Sequence, residues 1–180
     1  MTYYGAKQLA DSFRTVRKNT LAIAEDIPED KYAFKATPEV MSVGEMLAHL
    51  AVSPMWQIDV HGNKVAQLDF GFFAGRMQQA KAEEQALRTK PDIIAALRDN
   101  GDRFAKFLEG LDEATLQSSV ALPAQSGAAS KTRFEMLLGP KEHEMHHRGQ
   151  LMLLQRLIGQ VPHLTRQRQA MQAQFSPGRA

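Results

Sequence analysis

The stretch TRFEMLLGPKEHEMHHRGQLMLLQRLI, residues 132–158, opens with Thr132 and Glu135 at capping-box spacing and carries apolar and histidine positions at helical intervals. Phe134, Met136, Leu137 and Leu138 precede Gly139-Pro140, which is expected to interrupt the run, because proline lacks an N–H and crowds the preceding turn. A fresh helix is predicted from Pro140 to about Ile158, closed by Gly159 and Pro162. His143 and His147 stand four apart, so on a helix they share a face with roughly 5–6 Å between Cβ atoms. Gln150, Leu151, Leu154 and Ile158 continue that face, which is therefore expected to turn toward the protein interior. Two imidazoles placed there without a ligand would be partly desolvated and would repel each other when both were protonated. The pair reads as part of a metal site or, in the plainer alternative, as ordinary helix-surface histidines.

Working outward, Leu9, Phe13, Val16, Thr20, Ile23 and Ile27 form a one-sided stripe that predicts a helix from about Tyr3 to Asp26, stopped by Pro28. Ser42-Val43-Gly44-Glu45 reads as a capping box, and the helix it starts carries Met46, Leu47, His49 and Leu50. Pro54 is expected to kink this helix rather than end it, since Trp56, Ile58 and Val60 continue the pattern toward His61-Gly62. Residues 62–88 show weak apolar periodicity and read as a linker with at most one short surface helix. Pro91 opens a further helix through Ile94, Leu97, Gly101, Phe104, Leu108 and Leu111. Ser118 to Ser130, rich in small residues, reads as an exposed loop with room for a small hairpin.

Four principal helices with few strand candidates predict an all-α bundle, whose core can hold a metal between facing helices. At 180 residues, 43% of them hydrophobic and 23% charged, the chain suits one folded domain and excludes wholesale disorder. The expected domain covers residues 1–163, followed by a basic tail over 164–180. All 20 acidic residues lie at or before Glu144, and five arginines follow it. Those arginines are dispersed and lack interleaved aromatics, so a solvated basic end is expected rather than a nucleic-acid surface. No basic-then-apolar leader and no membrane-length apolar run is seen, which predicts a cytoplasmic chain with no membrane partner. With no cysteine, a metal must rest on nitrogen and oxygen, and thiol chemistry needs a thiol from a second molecule.

His143-Glu144-Met145-His146-His147 also matches H-E-x-x-H, the zinc motif of metalloproteases. A thermolysin-like site needs a third, acidic ligand downstream, yet no Asp or Glu follows Glu144; the extended motif fails because positions 150 and 153 are Gln and Leu. The third ligand must come from elsewhere. His49, close to the apolar stripe of the second helix, is the candidate, against the alternative of a core histidine bonded to a carbonyl. His61 and His163 are expected at the surface. His146, about a quarter turn from His147, suits an outer or solvent role, and Glu144 points off the ligand face.

Residues 42–50, SVGEMLAHL, and 143–151, HEMHHRGQL, with 90–97, KPDIIAAL, through 107–111, FLEGL, between them, resemble the DinB family of DinB/YfiT-like metal-dependent hydrolases and thiol transferases. The resemblance implies a four-helix bundle with a long crossover connection, often dimeric, so a homodimer is the expected assembly. It also implies zinc, nickel or a similar divalent ion on His49, His143 and His147. Gly139-Pro140 departs from the family pattern, where the helix is regular, and is expected to change its local approach angle. Three imidazoles leave a fourth position on a tetrahedral ion, where bound water would be acidified toward pKa about 7 or an external thiol held as thiolate. The resemblance favours a transferase that uses a low-molecular-weight thiol, such as bacillithiol, mycothiol or glutathione, on a small-molecule substrate in detoxification or stress response. A metal-dependent hydrolase and a non-catalytic metal-binding or interaction protein are the alternatives.

Overall fold

The first stripe is buried as its spacing predicts: Leu9, Phe13, Val16, Thr20 and Ile23 face inward along α1 (Ala6–Asp26), and Ile27 is buried beyond its end. The structure, a computed structural model, describes residues 4–175. Within them α1 starts at Ala6 rather than near Tyr3, which lies outside the described residues. The Gln8 side chain accepts from the Gly5 backbone N–H at 3.0 Å and closes that end.

The helices that carry His49 and the His143–His147 pair each begin at a capping box read in the sequence, although the second was expected to start afresh at Pro140. Ser42 and Glu45 exchange hydrogen bonds at the start of α2 (Val43–Val52). Pro54 divides α2 from α3 (Met55–Gly62), so the expected kink becomes an interruption; Ser53 and Pro54 nevertheless keep right-handed helical dihedrals.

Residues 62–88 depart most from expectation. They contain α4 (Phe70–Ala86), a helix of 17 residues whose N-cap Asp69 accepts from Phe72 N–H at 2.7 Å. Its half-buried positions recur at 72/73, 76, 80 and 83/84, a helical stripe. Arg76 and Glu84 stand in that stripe among Phe72, Phe73 and Ala80, so an apolar count does not reveal it. Segment 63–69 also pairs with the hairpin below, through Leu68 N–H to the Ala121 carbonyl at 2.9 Å.

After α4 come α5 (Lys90–Glu109) and the short α6 (Glu113–Gln117). The stretch expected as an exposed loop contains the antiparallel hairpin β1 (Ser119–Ala121) and β2 (Ser130–Thr132), with Val120 buried. Thr132 and Glu135 then cap α7 (Arg133–Leu157), which runs unbroken through Pro140. The expected interruption at Gly139-Pro140 is therefore absent: Pro140 is a buried position of a continuous helix, and tertiary packing overrides the local cost. Gly159, at φ 82°, supplies the left-handed residue that ends this segment.

The residues read as a basic tail are helical from His163 to Phe175, named α8 (His163–Phe175), and largely exposed; Ser176 to Ala180 lie outside the described residues. Arg166 ties α8 to α1 through both carboxylate oxygens of Asp26, each at 2.9 Å.

The bundle proper is α1, the α2–α3 pair, α5 and α7, with α4 as the long crossover between α3 and α5. Phe13 and Phe104 meet edge to face, 4.8 Å between centroids, where α1 packs on α5. Arg17 of α1 and Glu144 of α7 form a buried ion pair at 2.9 Å. Arg17 also donates to the Leu97 carbonyl at 2.7 Å and the Leu50 carbonyl at 2.8 Å. One guanidinium thus joins α1, α2, α5 and α7, and two of its partners, Leu50 and Glu144, adjoin His49 and His143 in sequence. No described helix is long and apolar enough to cross a membrane.

Candidate metal centre

His49 stands one turn before the end of α2, and His143 and His147 on successive turns of α7. The structure brings all three together: His143 Nε2 lies 3.1 Å from His49 Nε2 and 3.1 Å from His147 Nε2. One ligand atom from each falls within 4.8 Å of the others. All three rings are half-buried, so the cluster sits at the rim of the bundle rather than in its interior.

Hydrogen bonds on the opposite ring nitrogens orient two of these rings. His49 Nδ1 is 2.7 Å from Glu84 Oε1, and a carboxylate can only accept, so Nδ1 carries the proton and Nε2 presents its lone pair. His147 Nδ1 is 2.7 Å from the Gln150 amide oxygen, with the same consequence. His143 Nδ1 has Ser53 Oγ at 3.5 Å. Burial, then the facing imidazoles of His147 and His49, push the His143 pKa down to about 4. Burial also lowers that of His147 against the opposing pull of Gln150. Unprotonated nitrogens at neutral pH are what a metal requires.

The donor set fits a divalent ion. A tetrahedral centre with bonds of about 2.0–2.1 Å to nitrogen separates neighbouring donors by about 3.3 Å, close to the 3.1 Å of the two Nε2 pairs. The Glu84–His49 contact supplies the carboxylate–histidine pairing that orients ligands in such centres. Glu84 was not legible as a site residue, because its place depends on how the crossover helix docks; the capping residue Asp69 was the local signal that a helix was there.

A cavity of about 400 Å³ adjoins His49 and His143, walled by Val52, Trp56 and Phe73 and reaching Gln57 and Arg76. A larger groove of about 780 Å³ beside Tyr32 and the start of α5 contains no histidine, although Glu84 borders both.

The remaining histidines are elsewhere. His146 is exposed on α7 and touches Gln150 Nε2 at 3.2 Å, one contact removed from His147. His61 and His163, expected at the surface, are both buried. His61 lies between Arg133 and Gln57, and His163 is 3.3 Å from the Asn19 side-chain oxygen where α8 folds back on α1. In both cases a tertiary contact, absent from the local pattern, covers the ring. Glu144 points away from the cluster into its pair with Arg17.

The sequence model of the DinB superfamily matches residues 12–151. The uncharacterized protein YjoA of Bacillus subtilis (strain 168) is 25% identical over 157 residues, which cover 86% of this chain and 91% of the relative. Its crystal structure superposes with a TM-score of 0.65 at 23% identity, covering 86% of this chain and 94% of that one. A DinB-like protein from Bacillus cereus ATCC 10987 gives 0.68 at 14% identity, covering 89% and 97%. YfiT from Bacillus subtilis gives 0.68 at 14% identity, covering 89% and 91%, and is described as a probable metal-dependent hydrolase with an unusual four-helix bundle topology. The structural likenesses establish the shared fold, and the match over most of the chain establishes that it belongs to the DinB superfamily.

Proposed function

We propose that His49, His143 and His147 hold one divalent metal ion, zinc or nickel, and that the chain is a metal-dependent transferase using an external low-molecular-weight thiol. The observation that carries the metal reading is the meeting of three Nε2 atoms around His143, two of them on rings whose other nitrogen is already engaged. When bound, the ion supplies Lewis-acid chemistry that acidifies a thiol or a water. Glu84 and Gln150 orient the ligand rings, Arg17 holds their helices in register, and the apolar wall of the cavity excludes water.

Transfer of the thiol forms a carbon–sulfur bond at an electrophilic carbon. The leaving group departs with its bonding pair, and the thiol proton goes to solvent. A thiol route is favoured over hydrolysis because Glu84, held by His49, is the only carboxylate lining the cavity among the described residues; a hydrolase would want a further acid to protonate its leaving group. Hydrolysis is the second reading, favoured by the description of the structural relative YfiT.

The test is zinc titration followed by a thiol-consumption assay, with glutathione as the probe thiol and a panel of alkyl and aryl electrophiles. One ion per chain and zinc-dependent loss of thiol are expected. One ion per chain with neither thiol loss nor ester hydrolysis would replace the transferase with a non-catalytic metal-binding role.

A further inference from the structure

We infer that the cavity beside the histidines takes a small molecule with an apolar body and a carboxylate-like anionic group, the anion held by Arg76. The placing of the substrate's reacting end toward His49 and His143 rests on the metal reading above; the anion contact does not.

Arg76 lines the cavity from α4, its side chain only 16% exposed. Its Nη1 makes both of its polar contacts, to Gln79 Oε1 at 2.6 Å and Asp59 at 3.3 Å. Nε is buried and has no acceptor among the described residues. Nη2 also has no partner among the described residues and, unlike Nε, is not enclosed, so it is the nitrogen that donates to an arriving carboxylate, with Nε completing the fork once the side chain shifts to uncover it. Asp59 cancels the charge only in part, because it is half exposed and shares its own with water. Arg76 stands two turns before Glu84, the residue that meets His49, a rise of about 12 Å along the helix axis that leaves room for a small apolar body between them.

Gln57, 4% exposed, also lines the cavity, and its orientation follows from a contact chain that runs through His61 to Arg133. Arg133 Nη1 is 3.0 Å from His61 Nδ1, and arginine can only donate, so Nδ1 accepts and the ring proton is on Nε2. That proton is donated to Gln57 Oε1 at 2.8 Å, which leaves the Gln57 N–H2 as the donor that remains. Two polar side chains of the cavity, Arg76 and Gln57, are therefore donors, while Glu84 is already held. A ligand that brings an acceptor, and negative charge, complements them; an amine does not.

The chain has one tryptophan, Trp56, and it lines this cavity, so its fluorescence reports occupancy. The probes are 4-phenylbutyrate and the uncharged 4-phenylbutanol, titrated into chelator-treated and zinc-loaded protein, for wild type, Arg76→Gln and Arg76→Lys. The expected result is that wild type binds the carboxylate at least about tenfold tighter than the alcohol in both forms. Arg76→Gln should bring the two within about twofold, and Arg76→Lys should retain part of the preference. Equal binding of the two probes by wild type, or a preference that survives in Arg76→Gln, overturns the inference. A preference seen only with zinc and indifferent to Arg76 places the carboxylate on the metal; it overturns this inference and supports the metal reading. An Arg76-dependent preference in protein that takes up no zinc supports the anion site and defeats the metal reading alone.

Discussion

His49 and His143 are 94 positions apart in the chain, yet their Nε2 atoms lie 3.1 Å from each other. Without an ion, a proton on His143 Nε2 can be donated to only one of the two lone pairs that face it, those of His49 and His147, whereas a shared cation satisfies all three nitrogens. Arg17 joins the two helices, because it donates to the Leu50 carbonyl beside His49 and to the Glu144 carboxylate beside His143.

If the three rings bind as a set, His147→Ala should lose most of its metal after dialysis, whereas His146→Ala, altered at an exposed ring outside the set, should keep about one ion per chain. Elemental analysis of the two dialysed variants decides this, and full metal content in His147→Ala would remove it from the ligand set.

Glu84→Gln should weaken metal affinity by about 10- to 100-fold while leaving the ion count unchanged at saturation, since Glu84 acts on His49 and not on the ion. Competition against a chelator of known affinity measures it. An unchanged competition curve would mean that the Glu84–His49 contact has no part in binding.

Glu144→Ala leaves the buried Arg17 charge without its partner and should cost about 3–5 kcal/mol in urea denaturation. Gly101→Ala tests the same network from α5. A Cβ there would lie 2.9 Å from Arg17 Cγ and 3.2 Å from its Nη1, and Arg17 is tied by hydrogen bonds to three elements. The helix-propensity gain of at most about 1 kcal/mol should lose to an overpacking cost of about 1–3 kcal/mol. A stabilised Gly101→Ala would show that Arg17 is free to move.

Burial, with Arg133 beside it, lowers the His61 pKa from 6.5 to about 4. Between those values the unfolded chain binds more protons than the folded one, so stability should fall as pH drops from 6.5 toward 4 and be complete above that window. The contribution is on the order of 3 kcal/mol. His143 and His163, also lowered, act in the same direction in metal-free protein. The effect of His61 is therefore read as the difference in slope between wild type and His61→Asn, whose amide oxygen can still accept from Arg133. Parallel slopes for the two would leave His61 without a role in the pH dependence.

Much of this protein was determined locally. The stripe from Leu9 to Ile27, the capping boxes at Ser42 and Thr132, and the four-residue spacing of His143 and His147 are contacts within one or two helical turns, so they can be read in order along the chain. Within the reading of four packed helices, His49 was a candidate because it stood next to an apolar stripe. Only the tertiary structure decided that its Nε2 meets those of α7, that Glu84 orients it, and that Arg76 and Gln57 share its cavity. The helix carrying Arg76 and Glu84 hid for the same reason that it matters: its inward stripe interleaves those charged residues with Phe72, Phe73 and Ala80, because part of it faces the candidate site instead of the core. Pro140 stays helical, and His61 and His163 are buried, through contacts made by elements far away in sequence. Local propensity is worth a fraction of a kcal/mol for an ordinary residue and about 3 kcal/mol for a helical proline, whereas each large apolar side chain buried contributes about 1.5–3 kcal/mol, so where the two disagreed the summed packing prevailed.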